Sequence, residues 1–316
     1  MKVYVKTPAR LHLGLIDLNG DLGRMFGGLG VGINRPNVVL EAEPSEKLVI
    51  TGEKAEQVKN LASRFLETYN IKSSATINVK QVIPEHAGLG SGTQLSLAVA
   101  TALAKLFGVK APVRELADVM GRGQRTSVGT TIFEQGGFVV DGGKSTSEKR
   151  FPATIFRQPF PQDWRFVVAV PAVNKGLAKN EETAAFKALA PMKAEEAGKM
   201  CRLTMMKLLP SLIERDIKSF GEALTQIQIV IGDYFAEVQG GTYSSQTAAE
   251  GIELLQKIGA HGAGQSSWGP AFYGVTQKEK AREIEAKVKA FLKKNAGGQV
   301  FVAKANNKGA YIKVTK

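Results

Sequence analysis

Pro84-Glu85-His86-Ala87-Gly88-Leu89-Gly90-Ser91-Gly92-Thr93 runs straight into the apolar stretch Leu95 to Phe107, and the rest of the chain is organised around this junction. Three glycines in five positions let the backbone approach an anion closely. The helix that follows would aim its N-terminal N–H groups and positive dipole end at the same point. The loop therefore reads as a phosphate cradle, although a tight strand-to-helix connection uses the same residue types. No lysine follows the glycines, so this is not a Walker A loop, and Gly-Leu-Gly-Ser-Gly lacks the spacing of the dinucleotide fingerprint.

On the N-terminal side, Val3 and Val5, then Leu11, Leu13 and Leu15, alternate as strands. Pro8, Arg10, His12, Asp17 and Arg24 lie among them, followed by the glycine-dense run Gly27 to Gly32. Strand patterns at 38–42 and 47–51, a helix over 53–69 and the alternation Ala75, Ile77, Val79 lead into the loop. Beyond it come a second helix near 114–120, a glycine-rich region carrying Arg122, Arg125, Ser127 and Glu134, and a strand at 137–141.

Gln158-Pro159-Phe160-Pro161-Gln162-Asp163 interrupts every period, so the expected domains are 1–160 and 161–316. The second opens with a buried strand at 165–170 and continues mostly helical. Ile213, Ile217, Phe220, Leu224, Ile227 and Ile231 form one apolar stripe, read as core packing or a homodimer contact rather than a site. After a helix with Ala248, Ile252, Leu255 and Ile258 on one face comes a third glycine cluster, 259–270, containing Gln265, Ser266, Ser267 and Trp268. A strand, a helix and two further strands complete an α+β domain.

Charge and composition narrow the function. Forty-two Lys plus Arg against 29 Asp plus Glu give +13, which suits a polyanionic partner. The excess is spread along the chain, and the densest cluster, Lys287 to Lys294, lies on the outer side of a helix whose apolar face is Ala281, Ile284, Val288 and Phe291. With aromatics at 7% and no basic and aromatic interleaving, a small phosphorylated substrate is expected and no nucleic acid. The single cysteine, Cys201, excludes an internal disulfide and a cysteine metal site and reads as a small core residue. Apolar runs such as 166–173 are too short to span a bilayer, and Met1-Lys2-Val3 leads into a strand rather than a signal peptide, so the expected location is cytoplasmic, with no membrane partner.

Pro8-Ala9-Arg10-Leu11-His12-Leu13, the stretch 84–93 and the cluster 259–269 resemble, in order and spacing, the three signature regions of the galactokinase, homoserine, mevalonate and phosphomevalonate (GHMP) kinase superfamily. More narrowly, Arg10 to Leu18, Gly88 to Leu95, Phe133 to Gly143 and Gly264 to Pro270 resemble its β-ribofuranosylaminobenzene 5′-phosphate synthase branch, over essentially the whole chain. The resemblance implies an α+β, GHMP-kinase-like fold: an N-terminal domain with a left-handed β-α-β crossover, a ferredoxin-like C-terminal domain and a site between them. Leu15 and Ile16 stand where the kinases carry Glu and His, and Ser127-Val128-Gly129 leads into Thr130 and Thr131 rather than a base Asp. A kinase gains from a positioned carboxylate on the substrate hydroxyl, so these departures weigh against phosphotransfer.

The activity implied by the resemblance joins 4-aminobenzoate, or 4-hydroxybenzoate, to phosphoribosyl diphosphate, releasing carbon dioxide and diphosphate on the route to methanopterin-type cofactors. An ATP-dependent kinase of the same fold is the alternative. On the synthase reading Gly88, Leu89, Gly90, Ser91, Gly92 and Thr93 hold the diphosphate with Mg²⁺, Ser91 and Asp17 being the expected metal donors. Arg10, Arg24, Arg122 and Arg125 are candidates for planar contacts to phosphate or carboxylate, though each could be a surface ion-pair residue. Asp17 and Glu134 could stabilise an oxocarbenium or merely cap turns. His12 is a substrate donor or a satisfied core histidine. Gln265, Ser266, Ser267 and Trp268 would close the site, Trp268 as an aromatic wall or as packing in a tight turn.

Overall fold

The computed structural model describes residues 1–148, 150–173 and 179–315. Val3 and Val5 alternate with exposed or half-buried neighbours on β1 (Lys2–Lys6), and both are fully buried. The chain continues through β2 (Ala9–Asp17), β3 (Arg24–Ile33), β4 (Val39–Ser45), β5 (Val49–Gly52), α1 (Ala55–Thr68), β6 (Ser74–Gln81), α2 (Ser91–Phe107), α3 (Val113–Val119), α4 (Val128–Gln135), β7 (Phe138–Asp141), β8 (Lys144–Ser145) and β9 (Thr154–Gln158). The second half comprises β10 (Trp164–Pro171), α5 (Lys179–Ala188), α6 (Ala194–Leu203), a π-helical turn (Thr204–Leu208), α7 (Leu209–Glu214), α8 (Ile217–Gln239), α9 (Gln246–Lys257), β11 (Gly262–Gln265), β12 (Phe272–Gln277), α10 (Ala281–Asn295), β13 (Gly298–Ala303) and β14 (Tyr311–Thr315).

Three sheets result. One has the order β14-β1-β4-β6-β5, in which β5 and β6 are parallel and joined through α1. The second runs β2-β3-β7-β9, with β8 also paired to β3. The third is antiparallel in the order β11-β12-β10-β13, and with its sequence of strands and helices this is the ferredoxin-like arrangement expected for the C-terminal half. The last strand does not stay there. β14 returns to pair with β1, Val3 opposite Val314, so residues 311–315 complete the first sheet.

Helix α2 is buried nearly all round, as its mostly apolar composition requires, and packs against α1, α3, α4, β1 and β4. Leu97, Val99 and Leu103 are fully buried, each contributing roughly 1.5–3 kcal/mol of apolar transfer. Its first turn is thereby fixed to the core while its N-terminus remains open to ligand. The run Gly27 to Gly32 is strand rather than loop: a Cβ at Gly30 would come within 2.5 Å of Val128 Cγ1, so the bare face of β3 lets α4 lie directly on it.

Three expectations are corrected. Ile213 does not extend the stripe of α8, because α7 ends at Arg215 in the left-handed region and α8 restarts behind Asp216, whose carboxylate accepts the N–H groups of Lys218 and Ser219. Ile213 is 56% exposed. Cys201 is exposed, since the buried face of α6 is set by Ala197 and Met200. On α10 the innermost residue of the last turn is Leu292, four positions after Val288, and Phe291 is only partly buried.

Candidate active site

The three sequence motifs meet at one carbonyl. Gly88 O accepts from Arg10 Nη1 at 3.2 Å and from Ser266 Oγ at 2.7 Å, and Ser266 Oγ in turn accepts the His12 N–H at 3.0 Å. Backbone bonds reinforce the junction, from Arg10 N to Leu89 O at 3.0 Å and from Ser267 N to His12 O at 3.2 Å. Leu89 and Ser266 are buried, so they build the junction rather than face a ligand. Arg10, His12, Gly88, Gly90, Ser91, Gly92, Thr93, Arg122, Arg125, Gln265, Ser267 and Trp268 all line a single cleft of about 470 Å³.

One end of the cleft is cationic. Gly90, at φ +79°, caps α2 with no side chain over the first-turn N–H groups. Arg122 lies over this turn, its Nε donating to Ser96 Oγ at 3.0 Å, and a Cβ at Gly92 would sit 3.1 Å from Arg122 Nη1. Arg10 is half-buried beside Gly90, and its buried Nε finds no partner among the described residues. Burial lowers the Arg10 guanidinium to about 10, the charge of Glu182 opposing the shift. Burial also lowers Arg122, with Arg64 adding repulsion. Two desolvated guanidiniums at a helix N-terminus make an anion site, because an entering phosphate restores what burial removes. His12 is held well below its usual range by burial and by Arg10, so it is a neutral imidazole there.

The other end is aromatic. Trp268 packs against Phe235 at 4.6 Å and edge-on to Phe186 at 5.7 Å between ring centroids, and Ile231 extends this wall. Arg125 lies over the Phe186 ring at 4.7 Å and is paired with Glu182 at 3.0 Å. The Trp268 indole N–H donates to the other oxygen of the same carboxylate at 2.9 Å. Buried Asp141 sets the position of the loop between α3 and α4, accepting N–H groups from Gly28, Ser127 and Gly143 at 2.8–3.0 Å and so anchoring the start of α4 just after Arg125. Gln228 ties the halves together, donating to Leu13 O at 2.7 Å and accepting from Gln265 N at 2.8 Å.

Asp17, Arg24 and Glu134 are not in the cleft. Asp17 lies seven residues beyond Arg10 on β2, roughly 23 Å along an extended strand, and its carboxylate accepts the N–H groups of Asn19 and Gly20 in a turn. Arg24 donates to the Gly142 and Gly143 carbonyls at 2.6 and 2.8 Å. Glu134 is exposed near the end of α4, beside Gln135. Glu182, Phe186, Ile231 and Phe235 line the cleft without having been singled out. The i, i+4 spacing of Glu182 and Phe186 on one helix face was the available signal. Ile231 belongs to the stripe assigned to packing and is core, but its end of α8 also lines the cleft.

Family models described as "GHMP kinases N terminal domain" and "GHMP kinases C terminal" match residues 56–137 and 208–294. The chain is 33% identical to β-ribofuranosylphenol 5′-phosphate synthase of Methanothermobacter thermautotrophicus, covering 99% of both chains, and 36% identical to the synthase of the same name from Archaeoglobus fulgidus, covering 98% and 99%. The chain belongs to the β-ribofuranosylphenol 5′-phosphate synthase family. It is an enzyme on the GHMP kinase fold, and a homoserine kinase structure from Cytophaga hutchinsonii superposes with a TM-score of 0.71 at 19% identity, covering 98% of this chain and 97% of that one. In this synthase the carboxylates among the described cleft-lining residues are Glu85 and Glu182, and each is engaged by a cation, Glu85 by Lys54 at 2.5 Å. No helix among the described residues is long and apolar enough to cross a membrane.

Proposed function

We propose that this synthase joins 4-hydroxybenzoate to phosphoribosyl diphosphate, giving a C-riboside 5′-phosphate with release of carbon dioxide and diphosphate, toward a methanopterin-type cofactor. The observation that carries this reading is the union, in one cleft, of a guanidinium-flanked helix N-terminus with a wall of Trp268, Phe235 and Phe186. The relatives' printed name ends in a phenol, which favours a para hydroxyl over the amine of 4-aminobenzoate.

The chemistry suits the residues present. As diphosphate leaves, charge grows on its oxygens beside Arg10, Arg122 and the first turn of α2, where fixed donors in a dry site act strongly. The ring carbon bearing the carboxylate attacks the electron-poor ribose carbon, and the electron pair of the bond to the carboxylate returns to the ring as carbon dioxide departs. No proton is removed from that carbon, so the paired state of Glu85 and Glu182 is no handicap. Gly88, Gly90, Ser91, Gly92 and Thr93 hold phosphate oxygens by backbone and hydroxyl groups. Among the described residues no group of three or more His, Cys, Asp or Glu gathers into a metal centre. That donor set fits Mg²⁺ carried mainly on phosphate oxygens, with Ser91 and Glu85 as lining donors and Asp17 no longer among them.

Incubation with phosphoribosyl diphosphate and carboxyl-labelled 4-hydroxybenzoate tests the proposal, the expected result being one labelled carbon dioxide and one diphosphate per turnover without nucleotide. ATP consumption with no carbon dioxide released would return the chain to the kinases.

A further inference from the structure

Glu182 belongs to neither the phosphate end nor the aromatic wall, yet it is the carboxylate on which both converge. Its two oxygens take Arg125 at 3.0 Å and the Trp268 indole at 2.9 Å, and its charge reaches Arg10. Phe186, one helical turn later on α5, lies beneath the Arg125 guanidinium. A carboxylate is thus held against a planar cation at the edge of an aromatic wall, which is also the arrangement an aromatic acid would need.

We infer that Glu182 is an internal stand-in for the substrate carboxylate, a specificity-determining residue that the aromatic acid displaces from Arg125 on binding. This rests on the proposed reaction and extends it. The exposure of the pair decides whether exchange is feasible. The Arg125 and Glu182 side chains remain 24% and 25% exposed, so the pair is worth little and water can reach the released carboxylate. A fully buried pair could not be opened without leaving a stranded charge. The incoming acid restores the charge on Arg125 and lays its ring on Trp268 and Phe235, whereas a neutral phenol gains the wall but has no means of opening the pair.

Exchange also gives the reaction a direction. The carboxylate leaves as neutral carbon dioxide, its bonding electron pair passing to the ring, so the anion that displaced Glu182 is consumed by the chemistry. Glu182 then retakes Arg125 and Trp268, and the product's arene, uncharged once its carboxylate has left, no longer competes for the guanidinium. The device selects an acid on entry and lets its decarboxylated product go.

Titration calorimetry of wild type and Glu182→Gln with 4-hydroxybenzoate, and separately with phenol, tests the assignment. Removing the internal competitor should tighten the acid roughly three- to tenfold and leave phenol within about twofold. Weaker or unchanged acid binding in a variant that melts like wild type would overturn the stand-in role. If wild type and variant both ignore the acid, the proposed reaction fails first. A second readout needs no variant: the acid should shift tryptophan emission as Glu182 leaves the Trp268 indole, by more than phenol at equal occupancy, and equal shifts from both would refute displacement.

Discussion

The Ser266 hydroxyl donates to the Gly88 carbonyl at 2.7 Å, joining residues 178 positions apart and fixing the phosphate loop to the C-terminal half. The same oxygen accepts the His12 N–H, so one buried hydroxyl serves three motifs. Ser266→Ala removes the shorter of the two bonds to the Gly88 carbonyl, leaving it only Arg10 Nη1, and takes away the side-chain acceptor of the His12 N–H. A stability loss of about 1–3 kcal/mol is expected, with weaker phosphoribosyl diphosphate binding because the loop loses its tether. Urea unfolding and calorimetry on one preparation check both, and unchanged affinity would show that the loop is held without Ser266.

Gly88 and Gly90 share the left-handed conformation but face different neighbours. A Cβ on Gly88 would stand 2.0 Å from the Ser266 carbonyl oxygen, whereas one on Gly90 meets the Arg10 side chain at 3.3 Å. Gly88→Ala should therefore damage the fold, visible as a collapsed melting temperature. Gly90→Val should remain folded at a cost of about 1–2 kcal/mol for the backbone conformation, yet lose more than about tenfold in phosphoribosyl diphosphate affinity. Normal affinity for Gly90→Val in calorimetry would remove the loop from the site.

His12 supplies a pH dependence with a definite sign. Its folded-state pKa is depressed by burial and by Arg10, while in the unfolded chain it titrates near about 6.5. The unfolded state then binds the extra proton, so stability is intact above that pH and falls as the solution is acidified, by up to about 1.4 kcal/mol per pH unit. Urea titrations from pH 7.5 to about 5 should show a shallower acid-side fall for His12→Gln than for wild type, and parallel curves would mean that His12 is protonated in the folded protein.

The gathering of the cationic end of the cleft was legible in sequence because its signals are local: glycines, a helix start and an arginine on the adjoining strand pattern. Of the aromatic end only Trp268 was, because the rest is assembled from α5 and the last turns of α8, whose only property shared with the third glycine cluster is where the fold puts them. Ile231 reads as core by periodicity and is core, but its helix also walls a cleft. Asp17 and Glu134 failed for the opposite reason. A carboxylate near a motif in sequence is carried away by a strand at about 3.3 Å per residue or pointed outward by a helix, and nothing in the residue types records that. Gly28, Gly30 and Gly32 look like a loop until α4 is seen lying on their strand.

Arg10 offers the sharpest separation of binding from chemistry. It is half-buried, donates through Nη1 to Gly88 O, and keeps a buried Nε without a described partner beside the Gly88–Gly92 loop proposed to take the diphosphate. A donor of this kind gains most from the charge that develops as diphosphate departs, because a desolvated guanidinium interacts more strongly with a fuller anion. Arg10→Lys keeps the charge and much of the stem but loses the planar fork. It should lower kcat by about 10²–10³, with a much smaller change in KM for phosphoribosyl diphosphate. Steady-state kinetics with saturating aromatic acid separate the outcomes. A rise in KM at constant kcat would mean that Arg10 grips the ground state and that Arg122, at the first turn of α2, is the residue that meets the leaving group.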